Sequence, residues 1–180
     1  MLLKLETERL ILQRFKKEDA IRIRDLANDK ELADILGLPH PYELKDAEEW
    51  IAIHPEQIKN GIEYPLKITL KELSEVIGTI TIRVDKRNNK GELGYWIGKE
   101  YWCNGFATEA VNKIIDFGFN QLNLNKICAS AISRNIPSTI VFEKVGLLKE
   151  GRLRQNRFLL DKYEDVAVYG LLREDYVKGY

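Results

Sequence analysis

The chain has 180 residues, of which 44% are hydrophobic and 31% charged, a composition typical of a globular protein. A chain of this length fits one domain and can bury roughly two thirds of its unfolded surface. Its 28 basic residues balance 28 acidic ones, so no global positive field points to nucleic acid or to an anionic membrane as a partner. These values argue against a duplex-binding protein.

The N-terminal residues MLLKLETERL interrupt their apolar side chains with charges, which predicts neither a signal peptide nor a membrane-spanning helix. Two cysteines, Cys103 and Cys128, are too few for a disulfide framework, so we expect a reducing, cytoplasmic location. His40 and His54 are isolated and lack the spacing of metal ligands. We therefore expect no metal, and interpret both histidines as capping or solvated residues.

The first third of the chain has helical signals after one short strand. Residues 9–15 read as a strand, and the Lys-Glu-Asp sequence at 17–19 opens a helix. A second helix over 30–36 ends at Gly37, and a third begins near Lys45.

The middle of the chain changes to a strand-like period. Three strands with short connections are predicted, at residues 64–70, 76–84 and 92–97. The short polar links favour an antiparallel meander. The helix after them begins near Ala107 and has one apolar stripe, with Glu109 on the opposite face as a partner for Lys113.

The last third predicts a buried strand, a helix and two more strands. The buried strand covers 126–132, and Pro137 lies near the start of the helix. Strands at 147–153 and 157–172 follow, the second with alternating apolar residues. Because no repeat, low-complexity tract or linker interrupts the chain, residues 1–180 are expected to form a single α+β domain.

The stretch GELGYWIGKEYWCNGFATEA, residues 91–110, passes from a strand through a turn into a helix. The first N–H groups of a helix have no intrahelical partners and lie at the positive end of the helix dipole. Gly105 has no Cβ, so a ligand can approach its backbone closely. The stretch therefore predicts a pyrophosphate site at the turn, with the reactive arm of a cofactor along the strand.

Four motifs, in this order, resemble the GNAT superfamily of acetyl-CoA-dependent N-acetyltransferases. They are TERLILQRF, GYWIGKEYWCNGFATEA, NIPSTIVFEKVGLLKEGRLR and DVAVYGLLREDY. They span nearly the whole chain and are most similar to the Rim-like branch, the ribosomal-protein N-terminal acetyltransferases. The resemblance implies the GNAT fold, a single mixed, mostly antiparallel sheet of about seven strands with splayed central strands, flanked by helices.

The same resemblance implies a site for acetyl-CoA in the splay. Its pyrophosphate would bind the backbone amides of Trp102, Asn104, Gly105, Phe106, Ala107 and Thr108. Its pantetheine arm would run along the strand at Tyr95, Trp96 and Ile97. The side chain of Asn135 would bond the amide arm of the cofactor.

Two positions depart from the superfamily pattern. Trp102 stands where an Arg or Gln is usual in the phosphate turn, which leaves binding by the backbone intact. Phe142 occupies the place of a tyrosine that protonates the departing thiolate in many members, and phenylalanine carries no such proton. The Rim-like branch has a serine one helical turn earlier. The resemblance therefore implies that Ser138 contacts the cofactor and acts as the catalytic acid, directly or through water.

Acetyl transfer needs a polarised carbonyl, a neutral amine and a stabilised thiolate. A backbone N–H near Ile97 is the expected oxyanion donor, and Glu92 is the expected catalytic base, directly or through a water. An α-amine with a pKa near 7.8 is roughly a tenth neutral at pH 7, whereas a lysine near 10.4 is almost fully charged. The sequence places no histidine near the site, which favours an α-amine acceptor.

Several of these residues have structural alternatives. Glu92 fits a solvated strand charge equally well, and Ser138 fits a helix N-terminal residue bonded to the backbone. Four aromatic residues are more typical of packing than of a substrate pocket: Trp50, Tyr64, Trp96 and Trp102. Cys103 has no basic partner and is interpreted as a bystander rather than a nucleophile.

The leading hypothesis is an acetyl-CoA-dependent N-acetyltransferase that acts on a primary amine, above all a protein N-terminal α-amine, by direct attack on the thioester. One alternative is a polyamine, aminoglycoside or amino acid acceptor, for which carboxylates are available at Glu43, Asp46, Glu48 and Glu49. Another is a non-catalytic acyl-CoA-binding module, which Phe142 leaves open. A nucleotide-binding protein is disfavoured because neither phosphate-loop motif occurs. A homodimer through the edge of the final strands stays possible.

Overall fold

In the computed structural model, which describes residues 3–178, one sheet separates two layers of helices. Its strands are β1 (Lys4–Glu6), β2 (Leu10–Gln13), β3 (Leu66–Leu70), β4 (Glu75–Asp85), β5 (Lys90–Ile97), β6 (Lys126–Ile132), β7 (Leu148–Leu159) and β8 (Lys162–Leu172). The helices are α1 (Asp19–Ala27), α2 (Lys30–Leu36), α3 (Leu44–Ala52), α4 (His54–Asn60), α5 (Phe106–Asn120), α6 (Ile136–Lys144) and α7 (Arg173–Lys178). None of the helices in this range is long and apolar enough to cross a membrane.

The strands pair in the order β1-β2-β3-β4-β5-β6-β8-β7. All neighbours are antiparallel except β5 and β6, which α5 connects as a crossover. The predicted GNAT fold class and the antiparallel meander of β3, β4 and β5 are confirmed, with eight strands rather than seven because β1 adds a three-residue strand at one edge. Since β7 forms the other edge, a homodimer through the final strands stays a prediction.

The two faces of the sheet carry different helices. On one face, α5 and α6 contribute Ile114 and Phe142 to the main core, together with Leu93 of β5. On the other face, α1 contributes Ile23 to a smaller core that includes the partly buried Trp96. Because successive side chains of a strand point to opposite faces, β5 turns its odd-numbered side chains toward α5 and α6 and its even-numbered ones toward α1.

The main difference from the predicted elements lies near the end of the chain. The prediction of one strand over 157–172 is wrong, because the chain reverses at Leu160 and Asp161, whose φ values are 51° and 58°. This two-residue turn joins β7 to β8 as a hairpin. The short helices α4 and α7 are further additions to the predicted elements.

β5 and β6 separate partway along their length. Their pairing ends at Leu93 and Ala129, whereas β5 continues to Ile97. The N–H of Gly98 donates to the carbonyl of Ile77 in β4, at 2.8 Å. Antiparallel hydrogen bonding alternates along a strand, so the backbone groups of residues 95 and 97 face the gap. In the described residues, the carbonyl of Ile97 accepts from the indole N–H of Trp102, and the backbone groups of Tyr95 and the N–H of Ile97 are left free on the β5 side of the predicted splay.

Candidate active site

α5 begins with backbone N–H groups that no other group uses. Gly105 precedes it in the left-handed conformation, with φ of 78°, and its carbonyl accepts from the N–H of Glu109 at 3.1 Å. In the described part of the chain, the N–H groups of Gly105, Phe106, Ala107 and Thr108 have no acceptor. We call residues 105–108 the cradle. Its four free donors lie at the positive end of the helix dipole and can hold an anion.

The backbone N–H of Trp102 is not free for the pyrophosphate contact that was predicted for it. Its N–H already donates to the carbonyl of Lys99 at 3.1 Å, and its indole N–H donates to the carbonyl of Ile97 at 2.7 Å. The side-chain amide of Asn104 donates to the carbonyl of Trp102 at 2.9 Å. Trp102 thus fastens the loop to the end of β5, and this fixes the cradle relative to the splay.

Arg9 holds the loop from the other side. Its Nε donates to Oε2 of Glu109 at 2.7 Å, its Nη1 donates to the carbonyl of Asn104 at 3.0 Å, and its guanidinium lies 4.6 Å from the ring centre of Phe106. Glu109 also accepts from the hydroxyl of Thr7 at 2.6 Å. Burial would raise the pKa of Glu109, but the hydrogen bonds from Thr7 and Arg9 and the charge of Arg9 lower it below its usual value.

These contacts correct one prediction and add a residue that the sequence analysis missed. Glu109 pairs with Arg9, whereas Lys113 pairs with Asp116 at 3.2 Å. Arg9 and Glu109 are 100 positions apart in the chain, so helical spacing carries no information about their contact. The occurrence of Arg9 in the TERLILQRF motif was the available signal.

An open groove of about 450 Å³ runs beside the cradle. Its lining includes Gly105 and Thr108 of the cradle, Arg9, and Lys144 from α6. The carboxylates of Glu8 and Glu109 also border it, and Arg9 pairs with Glu109. The charges of the lining therefore balance, and it is the free amides at the start of α5 that suit the groove to a phosphorylated ligand.

Three of the predicted site residues meet where α6 begins. The side-chain Oδ1 of Asn135 accepts from the N–H of Ser138 at 3.3 Å and caps the helix. The hydroxyl of Tyr95 donates to Oγ of Ser138 at 3.4 Å, and its ring meets the ring of Phe142 edge-on. The capping role of Asn135 leaves its side-chain N–H groups free in the described residues, so the predicted contact with a ligand is geometrically open.

Glu92 lies apart from this group. Its pairing partner on β6 is Cys128, before the strands separate, and its side chain is 51% exposed. Its Oε2 is 4.0 Å from the guanidinium of Arg83. As an even-numbered residue it lies on the face opposite Tyr95. Its part as a base stays a prediction, and a water would have to connect it to the splay.

Most of the four aromatic residues that were interpreted as packing residues do pack against other side chains. Trp96 borders the smaller core, and the ring of Tyr64 meets that of Phe117 at 5.4 Å. Cys103 is exposed on the loop, and Glu43 and Asp46 close a capping box at α3.

His54 differs from its predicted capping or solvated state. Its side chain is 3% exposed, and neither ring nitrogen has a hydrogen-bond partner in the described residues. Phe15 and Trp50 pack against it, with ring centres 5.1 and 4.4 Å away. Burial lowers the pKa of His54 to about 4. Among residues 3–178, no group of three or more possible metal ligands occurs.

A family model described as the acetyltransferase (GNAT) domain matches residues 9–148. The N-acetyltransferase p20 of Bacillus licheniformis is 34% identical over 173 residues, which cover 96% of this chain and 97% of that protein. The ribosomal-protein-serine acetyltransferase of Escherichia coli is 30% identical over 96 residues, which cover 53% of this chain and 54% of that protein.

Two solved structures show the same fold. The ribosomal-protein-S5-alanine acetyltransferase of Vibrio fischeri has a TM-score of 0.86 and 24% identity, over 97% of this chain and 98% of that one. The spermidine N-acetyltransferase of Vibrio cholerae, solved with CoA and spermine, has a TM-score of 0.82 and 24% identity, over 95% of this chain and 99% of that one. From the family match and the p20 relative, the chain belongs to the GNAT family of acetyltransferases, and it resembles the Rim-like branch.

Proposed function

We propose that the protein transfers an acetyl group from acetyl-CoA to a primary amine, with a protein N-terminal α-amine as the acceptor. The observation that carries the proposal is the cradle beside the splay. Four free amides suit a pyrophosphate, and the free edge of β5 suits the extended, amide-containing arm that follows it. CoA in the solved spermidine acetyltransferase supports the same ligand here.

Each residue then has a physical task. The cradle amides hold the pyrophosphate, and Lys144 is the groove cation that is not paired with Glu109 and can contact a phosphate. The free side-chain N–H groups of Asn135 donate to the amide arm. The N–H of Ile97, which faces the gap, donates to the thioester oxygen as negative charge develops on it. Acetyl-CoA supplies the activated acetyl group, and the hydroxyl of Ser138 supplies a proton to the departing sulfur.

The choice of an α-amine rests on the weakness of the available bases. Glu92 is half exposed and lies before the splay, and the one buried histidine, His54, packs among aromatic rings on the other layer. An α-amine needs no strong base, because roughly a tenth of it is neutral at pH 7. A lysine acceptor would require a better one.

The carboxylates at α3 give weak support to a polyamine acceptor. Asp46 accepts from the N–H of Glu43 at 2.9 Å, and Glu49 is 3.6 Å from Lys45. These contacts are typical of a capped, solvated helix, which leaves Glu48 as the carboxylate without such a role in the described residues. A polycation would require several free carboxylates.

An acetyl-CoA consumption assay tests the proposal. Purified protein is given N-terminal peptides, polyamines, aminoglycosides and free amino acids, and release of free CoA thiol is followed. We expect turnover with peptides whose α-amine is free and none with the same peptides blocked at the N-terminus. Tight CoA binding without turnover on any amine would instead identify a non-catalytic acyl-CoA-binding module.

A further inference from the structure

The hydroxyl of Tyr95 lies in the site with one partner among the described residues, Oγ of Ser138. The 3.4 Å contact joins β5, where the sheet splays, to the first turn of α6. The backbone N–H of Ser138 donates to Asn135, which fixes the position of the serine. The ring of Tyr95 packs edge-on against Phe142, with ring centres 6.2 Å apart and planes at 89°. Both ends of the hydroxyl pair are therefore held in place.

The hydrogen bond has a direction. Burial raises the pKa of Tyr95 above its usual value, while the contact with Ser138 lowers it, and the net shift is upward. The phenol therefore keeps its proton at neutral pH, and its hydroxyl donates to Oγ of Ser138 at 3.4 Å. A serine hydroxyl has one proton and two lone pairs. Since Ser138 accepts from Tyr95, its own proton is free to point at another acceptor.

Two other hydroxyls near Ser138 are engaged elsewhere, and Oγ of Ser133, in the turn before α6, is buried with no hydrogen bond to Ser138 in the described residues. Oγ1 of Thr139 donates to the carbonyl of Ile136 at 2.9 Å, and the hydroxyl of Tyr169 donates to Glu143 at 3.2 Å. Phe142, in the same helix, has no proton to give. In the described residues, Tyr95 is the acid whose proton reaches Ser138 directly.

A serine alone is a poor acid for a thiolate, because the alkoxide left behind is far more basic than the sulfur. A phenol has an ordinary pKa of about 10, which burial raises for Tyr95, and it is still nearer to a thiol, at about 8.5, than a serine hydroxyl is. We propose that Tyr95 is a proton-relay residue that acts through Ser138 when the thiolate leaves. This inference rests on the proposed function, in which Ser138 faces the departing sulfur.

The relay conserves protons and charge. As the acceptor nitrogen bonds to the acetyl carbon and the carbon–sulfur bond breaks, Ser138 gives its hydroxyl proton to the sulfur and takes the phenol proton of Tyr95. The acceptor nitrogen loses one proton to water, and the phenolate of Tyr95 takes one proton from water. The serine and the tyrosine both end as they began, and the net transfer is one proton from nitrogen to sulfur.

The test compares Tyr95→Phe with Tyr176→Phe. Tyr176 is a matched control because its hydroxyl, bonded to Asp116 at 3.3 Å, lies away from the site on α7. We expect Tyr95→Phe to lower kcat by roughly 100-fold, the lower end of what general acid catalysis contributes. Its acetyl-CoA Kd, measured by calorimetry, should change less than about twofold, because the ring and its packing are kept. Tyr176→Phe should change neither quantity.

A double mutant separates a relay from an independent effect. In a Ser138→Ala background, Tyr95→Phe should change kcat less than about twofold, because the route for its proton is already broken. In protein isotope-labelled at tyrosine Cζ, Ser138→Ala should raise the pKa of Tyr95, measured by NMR titration without ligand, because the phenolate loses the serine hydroxyl as a hydrogen-bond donor.

The outcomes separate this inference from the proposed function. If Ser138→Ala slows kcat while Tyr95→Phe does not, the relay is overturned and the acid role of Ser138 survives. If Tyr95→Phe is equally harmful with and without Ser138, the relay is overturned as well. If neither variant slows turnover, the proposed acid also fails, and if no amine is acetylated by the wild type, the proposed function itself fails.

Discussion

The cradle and the helical layer formed by α1 to α4 both contain polar atoms without partners, but they differ in exposure. The free amides at the start of α5 border an open groove, where water or a ligand can accept from them. The two ring nitrogens of His54 are sealed among aromatic side chains. An exposed free donor costs little, whereas a buried one costs about 1 to 3 kcal/mol of stability.

Because of this difference, the free amides of the cradle form a candidate binding site, whereas the unpaired nitrogens of His54 lower the stability of the fold. In the cradle, the unpaired groups converge on one space and share the sign of the helix dipole, so an anion satisfies them together. Around His54 the lining is apolar and no second charged group faces the ring nitrogens in the described contacts. The first region should therefore respond to ligand, and the second to pH.

The largest expected effect comes from filling the cradle. Gly105→Glu places a carboxylate where an anionic ligand would bind, and Arg9 Nη2 lies 3.5 Å from a Cβ at this position. The new carboxylate would act as an internal competitor, so we expect CoA affinity to fall at least about 100-fold by calorimetry.

Gly105→Ala is the control for backbone strain. A Cβ has ordinary space there, but φ of 78° costs a side chain roughly 1 kcal/mol. The alanine variant should keep CoA binding within about tenfold. Equal CoA affinity in the wild type and Gly105→Glu would contradict the position of the cradle.

The second largest expected effect is a loss of folding stability at acid pH, caused by the buried His54. Its pKa is about 4 in the folded protein and 6.5 as the ordinary value, so the unfolded state binds a proton first as pH falls. The free energy of unfolding is therefore not reduced by the titration of His54 above pH 6.5, and it declines as the pH falls from 6.5 toward 4. The difference amounts to about 3 kcal/mol. Urea unfolding at a series of pH values, followed through the fluorescence of tryptophan, measures it.

His54→Leu should flatten this decline over the same pH range, because leucine does not titrate. His40→Leu is the control, since His40 is exposed. An unchanged decline in His54→Leu would show that other groups cause the acid sensitivity.

The same comparison explains what the sequence could predict. The cradle is built from contiguous residues, and helix starts, glycine and apolar spacing describe it locally, so the turn after β5 and the start of α5 were predictable. Strand–helix order likewise predicted the α+β class, whereas the GNAT fold was predicted from the resemblance of four motifs to that superfamily. The hairpin turn at residues 160–161 was missed because neither Leu160 nor Asp161 is a glycine or an asparagine.

Contacts between distant segments could not be predicted in this way. Arg9 reaches Glu109 across the sheet edge, and Tyr95 reaches Ser138 across the splay. In each pair the two residues lie on different elements, so neither helical nor strand spacing in the sequence predicts their contact. The tertiary fold alone brings them together. The burial of His54 has the same origin, since Phe15 and Trp50 come from separate elements.

A smaller effect tests the support of the cradle. Glu109→Gln keeps the shape of the side chain but removes the charge opposite Arg9, so the loop should loosen and Arg9 should lose its fixed position. We expect CoA affinity to fall about fivefold and stability to fall by about 1 to 2 kcal/mol. Thermal unfolding and calorimetry measure the two quantities.

Lys113→Ala is the matched control for that variant. Its partner is Asp116, three positions away on the helix surface, and such pairs contribute about 0.5 kcal/mol or less. Little change in Lys113→Ala beside a clear change in Glu109→Gln would support the long-range pair. A clear change in Lys113→Ala beside little change in Glu109→Gln would instead support the pair of Glu109 and Lys113 that helical spacing predicted.

The smallest expected effect is that of Glu92→Gln. Glu92 is half exposed and separated from the splay, so as a base it would act through water and only on the charged fraction of the amine. We expect kcat/KM for an α-amine peptide to fall about threefold at pH 7, and the loss to vanish above pH ~8, where the amine is already neutral. Glu150→Gln, an exposed carboxylate on β7, should leave the profile unchanged. A loss of equal size at every pH would mean that Glu92 contributes charge or packing rather than proton transfer, and the α-amine would then lose its proton directly to water.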